Sequence, residues 1–224
     1  MLKGLNIAFK DLKIESRARE IFISMIVFSL LVLIIFSIAF SDLLSSASKT
    51  ATVASGVLWI CFIFAGTLGL NRTFATEVQN GCMDALKMCP IPRNSIYLSK
   101  VIFVFLLMLL VEIITIPMFS VLFNYQFTAI IWVGIVILLG SFGFVVVGCL
   151  ISALVIRARA GEMLLPVLLL PLSLPVIIPA VSATSGLLRG EDIFSLMSYI
   201  RLLMVYDFVF FAVSMLVFEY VVED

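Results

Sequence analysis

The chain has 224 residues, of which 63% are hydrophobic and 12% charged, with 14 basic and 14 acidic side chains in balance. Soluble domains carry about a quarter charged residues and about half apolar ones, so this composition excludes a soluble globular domain and describes an integral membrane protein. The balanced charge also excludes a net basic field for nucleic acid, and leaves charge placement rather than its sum as the informative quantity.

Residues 1–20 read as an interfacial helix. Leu2, Leu5, Phe9 and Leu12 recur at spacings of three and four, and Lys3, Lys10, Lys13 and Arg17 form a neighbouring stripe suited to anionic headgroups. Ile7 and Ile14 fall outside the apolar stripe. The alternative is a basic lead-in that only fixes topology.

Six apolar runs follow, at 21–40, 53–70, 101–123, 128–156, 163–183 and 200–222. Runs of about 20 residues cross a hydrocarbon core of about 30 Å, so the fold class is an all-α integral membrane protein with six transmembrane helices in one domain, 1–224. The first run is too long for the apolar part of a secretion signal and reads as a retained helix. The fourth is long enough to tilt or to extend past the hydrocarbon.

Between the second and third runs lies a soluble-looking stretch, EVQNGCMDALKMCPIPRNSIYLSK, at 77–100. Val78, Cys82, Leu86 and Cys89 recur at four, four and three residues, while Glu77, Gln79, Asp84 and Lys87 point elsewhere. That is a short amphipathic helix, which Pro90 and Pro92 stop because proline disfavours helix before itself. Asn94 or Ser95 can cap the next helix. A solvent-facing helix at such a turn is a handle on which a soluble partner can push. A helix lying on lipid fits the same spacing, since amphipathicity does not name the partner.

Glu112 interrupts the third run and Asp207 the sixth. Charged residues at such depth are costly and face a bundle interior or a wet cavity. They either line a polar path or a subunit contact, or are hydrogen-bonded acids that pin helix packing. Residues 124–126 form a tight turn, making spans three and four a hairpin. The fifth run contains Pro166, Pro171, Pro175 and Pro179; it is either a bending element or a static kink. The stretch 182–199 is longer and mixed, and is able to carry a short helix dipping back toward the membrane.

Basic residues gather on the cytoplasmic side of membrane proteins. Lys3, Lys10, Lys13, Arg17 and Arg19 precede the first span, Arg72, Lys87, Arg93 and Lys100 flank the second loop, and Arg157 and Arg159 lie in the fourth. The other loops hold only Lys49, Arg189 and, at a span's edge, Arg201. Both termini and the 77–100 stretch are therefore expected in the cytoplasm. Cys82 and Cys89 lie in that stretch and Cys61 and Cys149 within spans; with no CxxC pair they suggest neither a redox nor a metal site.

The absences are informative. There is no GxxxxGK[ST] phosphate loop, and no histidine for a Ser-His or Cys-His pair, a histidine-assisted zinc hydrolase or haem ligation. No catalytic, cofactor-binding or metal-binding residue is assigned. Energy for any work is expected to enter through a partner.

Three segments carry a family resemblance: SGVLWICFIFAGTLGLNRTF at 55–74, NGCMDALKMCPIPRNSIYLSK at 80–100 and LLPVLLLPLSLPVIIP at 164–179. Together they resemble the haem exporter protein B family, CcmB, the permease subunit of an ATP-binding-cassette system for cytochrome c maturation. Gly56, Val57, Leu58 and Trp59 match its Gly-Val-Leu-Trp run. Glu77, Gly81, Asp84, Leu86, Pro90, Pro92 and Lys100 match its acidic, glycine, Pro-x-Pro and lysine places, with Cys82 standing for serine and Asn80 for aspartate. The region 182–224 matches mainly in hydropathy.

The resemblance implies a type-2 exporter-like permease in the inner membrane, with an ATPase subunit docked on a coupling helix. Its expected contacts are Glu77, Gly81, Asp84, Leu86, Pro90 and Pro92, with Arg157 and Arg159 as a second, smaller contact. It implies ATP bound on that partner, haem as possible cargo, a haem-handling membrane protein and haem chaperone as further partners, and pairing with a second copy. A type-2 exporter permease for lipid, polysaccharide or drug shares the layout, because fold does not fix substrate. A scaffold or passive channel and a membrane enzyme are the readings from other classes.

Overall fold

Hydrocarbon offers no partner to a backbone N–H or C=O, so long apolar runs in a bilayer close their hydrogen bonds within themselves as helices. The computed structural model describes residues 2–40, 47–79, 93–123, 129–155 and 161–221. Among them are seven helices: α1 (Leu2–Ala18), α2 (Glu20–Ala39), α3 (Ala47–Gln79), α4 (Arg93–Leu122), α5 (Ile130–Val155), α6 (Gly161–Leu188) and α7 (Ile193–Val221). Six of them, α2 to α7, are long and apolar enough to cross a membrane. The turn expected at 124–126 lies outside the described residues, as does the amphipathic helix expected over 78–89 apart from Val78 and Gln79, which continue α3.

Helices outrun the apolar segments that announce them. The 33 residues of α3 would span roughly 50 Å at 1.5 Å per residue, beyond the hydrocarbon at both ends. The stretch 182–199 is not a separate helix dipping back. α6 continues through it to Leu188, and α7 starts at Ile193. The reason is local: Gly190, at φ 73°, closes α6 with a Schellman pair, Glu191 N–H to Gly186 C=O at 3.0 Å and Gly190 N–H to Leu187 C=O at 3.1 Å.

The proline-rich α6 is one unbroken helix through Pro166, Pro171, Pro175 and Pro179. It is tied to α7 by the Tyr206 hydroxyl, which donates to the Leu172 carbonyl at 2.8 Å.

α5 is the central post. Every residue from Gly143 to Ala153 is buried, and α3, α4, α6 and α7 all pack on this helix. Its small residues are where larger side chains seat: Gly140 receives the Trp59 indole and Gly148 the Leu70 side chain, so a Cβ at either position would collide with α3. Such close approach is the usual basis of helix association where lipid is as apolar as leucine. Trp59 also donates to Thr184 of α6 at 3.0 Å, and Tyr97 of α4 to the Val146 carbonyl of α5 at 2.8 Å. A ring chain, Phe105–Phe142–Phe211, joins α4, α5 and α7 at centroid distances of 5.6 and 5.9 Å.

Consecutive spans alternate in direction. Tyr97 near the start of α4 packs on Phe218 near the end of α7, with ring centroids 5.0 Å apart, and Lys100 of α4 meets Asp11 of α1. α3, α5 and α7 run the same way. The last turns of α3 and α5, the first turns of α4 and α6, the end of α7 and all of α1 therefore share one end of the bundle. The remaining faces carry outward Leu, Ile, Val and Phe, among them Ile38, Val121, Val167 and Phe208.

Candidate functional site

The helix ends that flank the expected contact segments, 80–92 and 156–160, lie at the shared end. Glu77 falls in the last turn of α3, and its side chain lies outside the described set. Gly81, Asp84, Leu86, Pro90, Pro92, Arg157 and Arg159 also lie outside the described residues. What is described at this end is a frame of α1, the first turns of α2 and α4, and the last turns of α3 and α5.

That frame is fastened by charge. Lys100 Nζ stands 2.6 Å from Asp11 Oδ2, with side-chain exposures of 4% and 10%. A charge-assisted bond of this kind is short and directional. Removing either partner of such a buried pair strands a charge at a cost of about 3–5 kcal/mol. One turn further along α1, Glu15 is 7% exposed, and its Oε1 accepts the backbone N–H groups of Ile21 at 2.9 Å and Phe22 at 3.0 Å. These are orphan donors of the first turn of α2. The residue at the helix boundary, Arg19, offers no side-chain cap and holds a left-handed backbone, φ 55°. A non-glycine residue there costs roughly 1–2 kcal/mol, so the corner between α1 and α2 is held by Glu15 rather than by local preference.

Burial divides α1 into two faces. Phe9 and Ile14 are exposed, at 62% and 57%, while Ala8, Asp11, Leu12 and Glu15 face the bundle. In a bilayer an apolar side chain gains little by turning inward, whereas a carboxylate gains a great deal. A signal for this exists in the sequence. Asp11 and Glu15 are four apart on one face, and Lys100 stands at the mouth of an apolar run.

The intramembrane acids are both buried, Glu112 at 2% exposure and Asp207 at 6%. Glu112 accepts a hydrogen bond from Ser141 of α5, and its Oε2 has no hydrogen-bond partner among the described residues. Asp207 packs on Gly143 of α5 beside Val176 and Tyr206, with neither oxygen hydrogen-bonded among the described residues. Ser141 and Gly143 are two positions apart, about 200° around a helix. The acids thus approach α5 from different sides, and the structure does not bring them into one polar path. On the α2 side of α4, a buried Ser29–Thr115 contact at 2.8 Å lies one turn from Glu112.

Comparison with known proteins adds to this geometry. The family model described as CcmB protein matches residues 3–223. The chain is 34% identical over 128 residues to heme exporter protein B of Rhodobacter capsulatus, covering 57% of this chain and 59% of that relative. It is 26% identical over 181 residues to heme exporter protein B of Bradyrhizobium diazoefficiens, covering 81% and 80%, and 28% identical over 180 residues to that of Haemophilus influenzae, covering 80% and 79%. Against the relatives from Rhodobacter capsulatus and Paracoccus denitrificans, the chain spans only 59% and 64% of their length. With the family model matched almost from end to end on a bundle of six membrane-crossing helices, the chain belongs to the CcmB protein family.

Proposed function

We propose that this chain is the transmembrane permease subunit of an ATP-binding-cassette complex in cytochrome c maturation. It couples ATP hydrolysis on a separate subunit to haem export or to release of a haem-loaded chaperone. The observation that carries the reading is the family match over 3–223, joined to relatives that are named heme exporter protein B. The lack of a phosphate loop in the chain is consistent with a non-catalytic subunit whose ATP sits on its partner.

The ATPase contact is assigned to the coupling helix at 81–89 with Glu77, Pro90 and Pro92, and to Arg157 and Arg159. Chain direction supports this, because the helix ends flanking both segments share the end of the bundle that carries α1. That end is the cytoplasmic one in this reading, on the charge bias of the loops, and the membrane is the inner membrane. The absence of histidine from the chain favours chaperone release over carriage of haem by this subunit. A cassette ATPase works as a pair, so two copies of the chain present the two handles.

Affinity purification in mild detergent, with identification of the co-purifying subunits and a haem absorbance spectrum, tests the reading. Recovery of an ATPase together with cytochrome c assembly proteins is expected. Recovery of an ATPase with lipid- or polysaccharide-export proteins would reassign the cargo, and recovery of no ATPase would overturn the proposal.

A further inference from the structure

We propose that the Asp11–Lys100 pair makes α1 a transmission arm, so that α1 moves with the start of α4 and carries that movement to the first turn of α2. This deepens the function proposed above and rests on it, since a partner ATPase is what delivers movement at the start of α4.

Three observations combine. The pair is buried and 2.6 Å long, on helices 89 residues apart in sequence. Lys100 lies in the second turn of α4, so it reports the position of that helix where it leaves the partner-facing end. On the same face of α1, one turn on, Glu15 grips two backbone N–H groups at the start of α2. Between the two grips α1 is a single helix, stiff over that distance, and the left-handed Arg19 is the one break in the path to α2.

Electrostatics make the first grip hard to slip. A cation and a carboxylate withdrawn from water stay together because separating them removes their mutual attraction without restoring their hydration. Lys10 also approaches Asp11, at 3.4 Å, but is exposed and held in water, where such pairs contribute little. Among the described side chains of α1, Ala8 is buried, Leu12 packs half-buried on the core, and Phe9 and Ile14 turn outward. The Asp11–Lys100 pair is the charge-assisted bond that adds direction to that packing.

The test uses the full chain with its co-purified ATPase subunit in lipid nanodiscs. Cys82 and Cys89 are replaced by serine, and Cys61 and Cys149 by alanine. A first arm reads attachment without nucleotide. With Ala8→Cys introduced, maleimide labelling is expected to be slow in the intact pair and about tenfold faster in Asp11→Asn or Lys100→Gln, as local opening exposes that face. In the reversed pair, Asp11→Lys with Lys100→Asp, it is expected to return toward the slow rate. Equal labelling in Asp11→Asn and the intact pair would overturn the inference.

A second arm reads transmission. Spin labels are placed at Lys13→Cys on α1 and Glu191→Cys at the far turn, or at Leu98→Cys on α4 and Glu191→Cys. ATP is expected to change both distances in the intact pair, and to change only the α4 distance in Asp11→Asn. An ATP-dependent shift of α4 with α1 unmoved in the intact pair would overturn the arm and leave the function standing. Failure of any ATPase to co-purify would remove the function and the arm together.

Discussion

Asp11 and Asp207 are both aspartates withdrawn from solvent, but they are held in different ways. At the end of the bundle that carries α1, Asp11 meets Lys100 at 2.6 Å and its neighbour Glu15 accepts two backbone N–H groups. In the middle of the bundle, Asp207 lies against Gly143, Val176 and Tyr206 with no hydrogen bond to either oxygen among the described residues. The first arrangement ties a peripheral helix to α4 by a directional bond. The second sits in a helix pair already fixed by shape, so its carboxylate adds little to the position of α7.

The contrast can be broken at either side. The largest effect is expected from Lys100→Met, which strands Asp11 and should cost about 3–5 kcal/mol. It should appear as a clear fall in the thermal midpoint of the detergent-solubilised chain, and the reversed pair should recover part of it. Ser141→Ala removes the hydrogen bond from α5 to Glu112 and should cost about 1–3 kcal/mol, the usual penalty for a buried polar group left without its partner. Chemical denaturation in mixed micelles measures that loss. Glu15→Ala uncaps the first turn of α2 and should cost about 1 kcal/mol, as loss of a helix cap does. Faster hydrogen exchange confined to Ile21 and Phe22 would identify the mechanism. The smallest loss is expected at Asp207→Asn, which breaks no hydrogen bond among the described residues and removes a buried acid, so stability should be unchanged or raised. ATPase activity of the assembled complex should be unchanged by it, and a large loss of activity with normal assembly would restore Asp207 to a functional path.

The six spans are legible in the sequence because hydrophobic run length against bilayer thickness is a simple criterion, and α2 to α7 meet it. Helix ends are less so. α3, α4 and α7 begin before their apolar runs, since helix formation does not stop where hydrophobicity does. The stretch 182–199 misleads for the same reason: its mixed composition suggests a separate element, whereas the Schellman close at Gly190 sets the boundary there. The spacing of apolar residues in α1 does not report the polar grip on its inner face. With lipid at its flank, the face carrying Asp11 and Glu15 turns inward and Phe9 turns out. Glu112 and Asp207 are legible as buried acids, but which side of α5 each faces depends on Ser141 and Gly143. No pattern within one helix reports that.

The proposal that force enters at the coupling helix, 81–89, is tested most directly by pull-down of the ATPase subunit with Asp84→Lys and with Leu86→Asp, each checked for normal membrane insertion. Both variants should insert normally and lose the ATPase, while Asp207→Asn should retain it. Full retention of the ATPase by both would contradict the account.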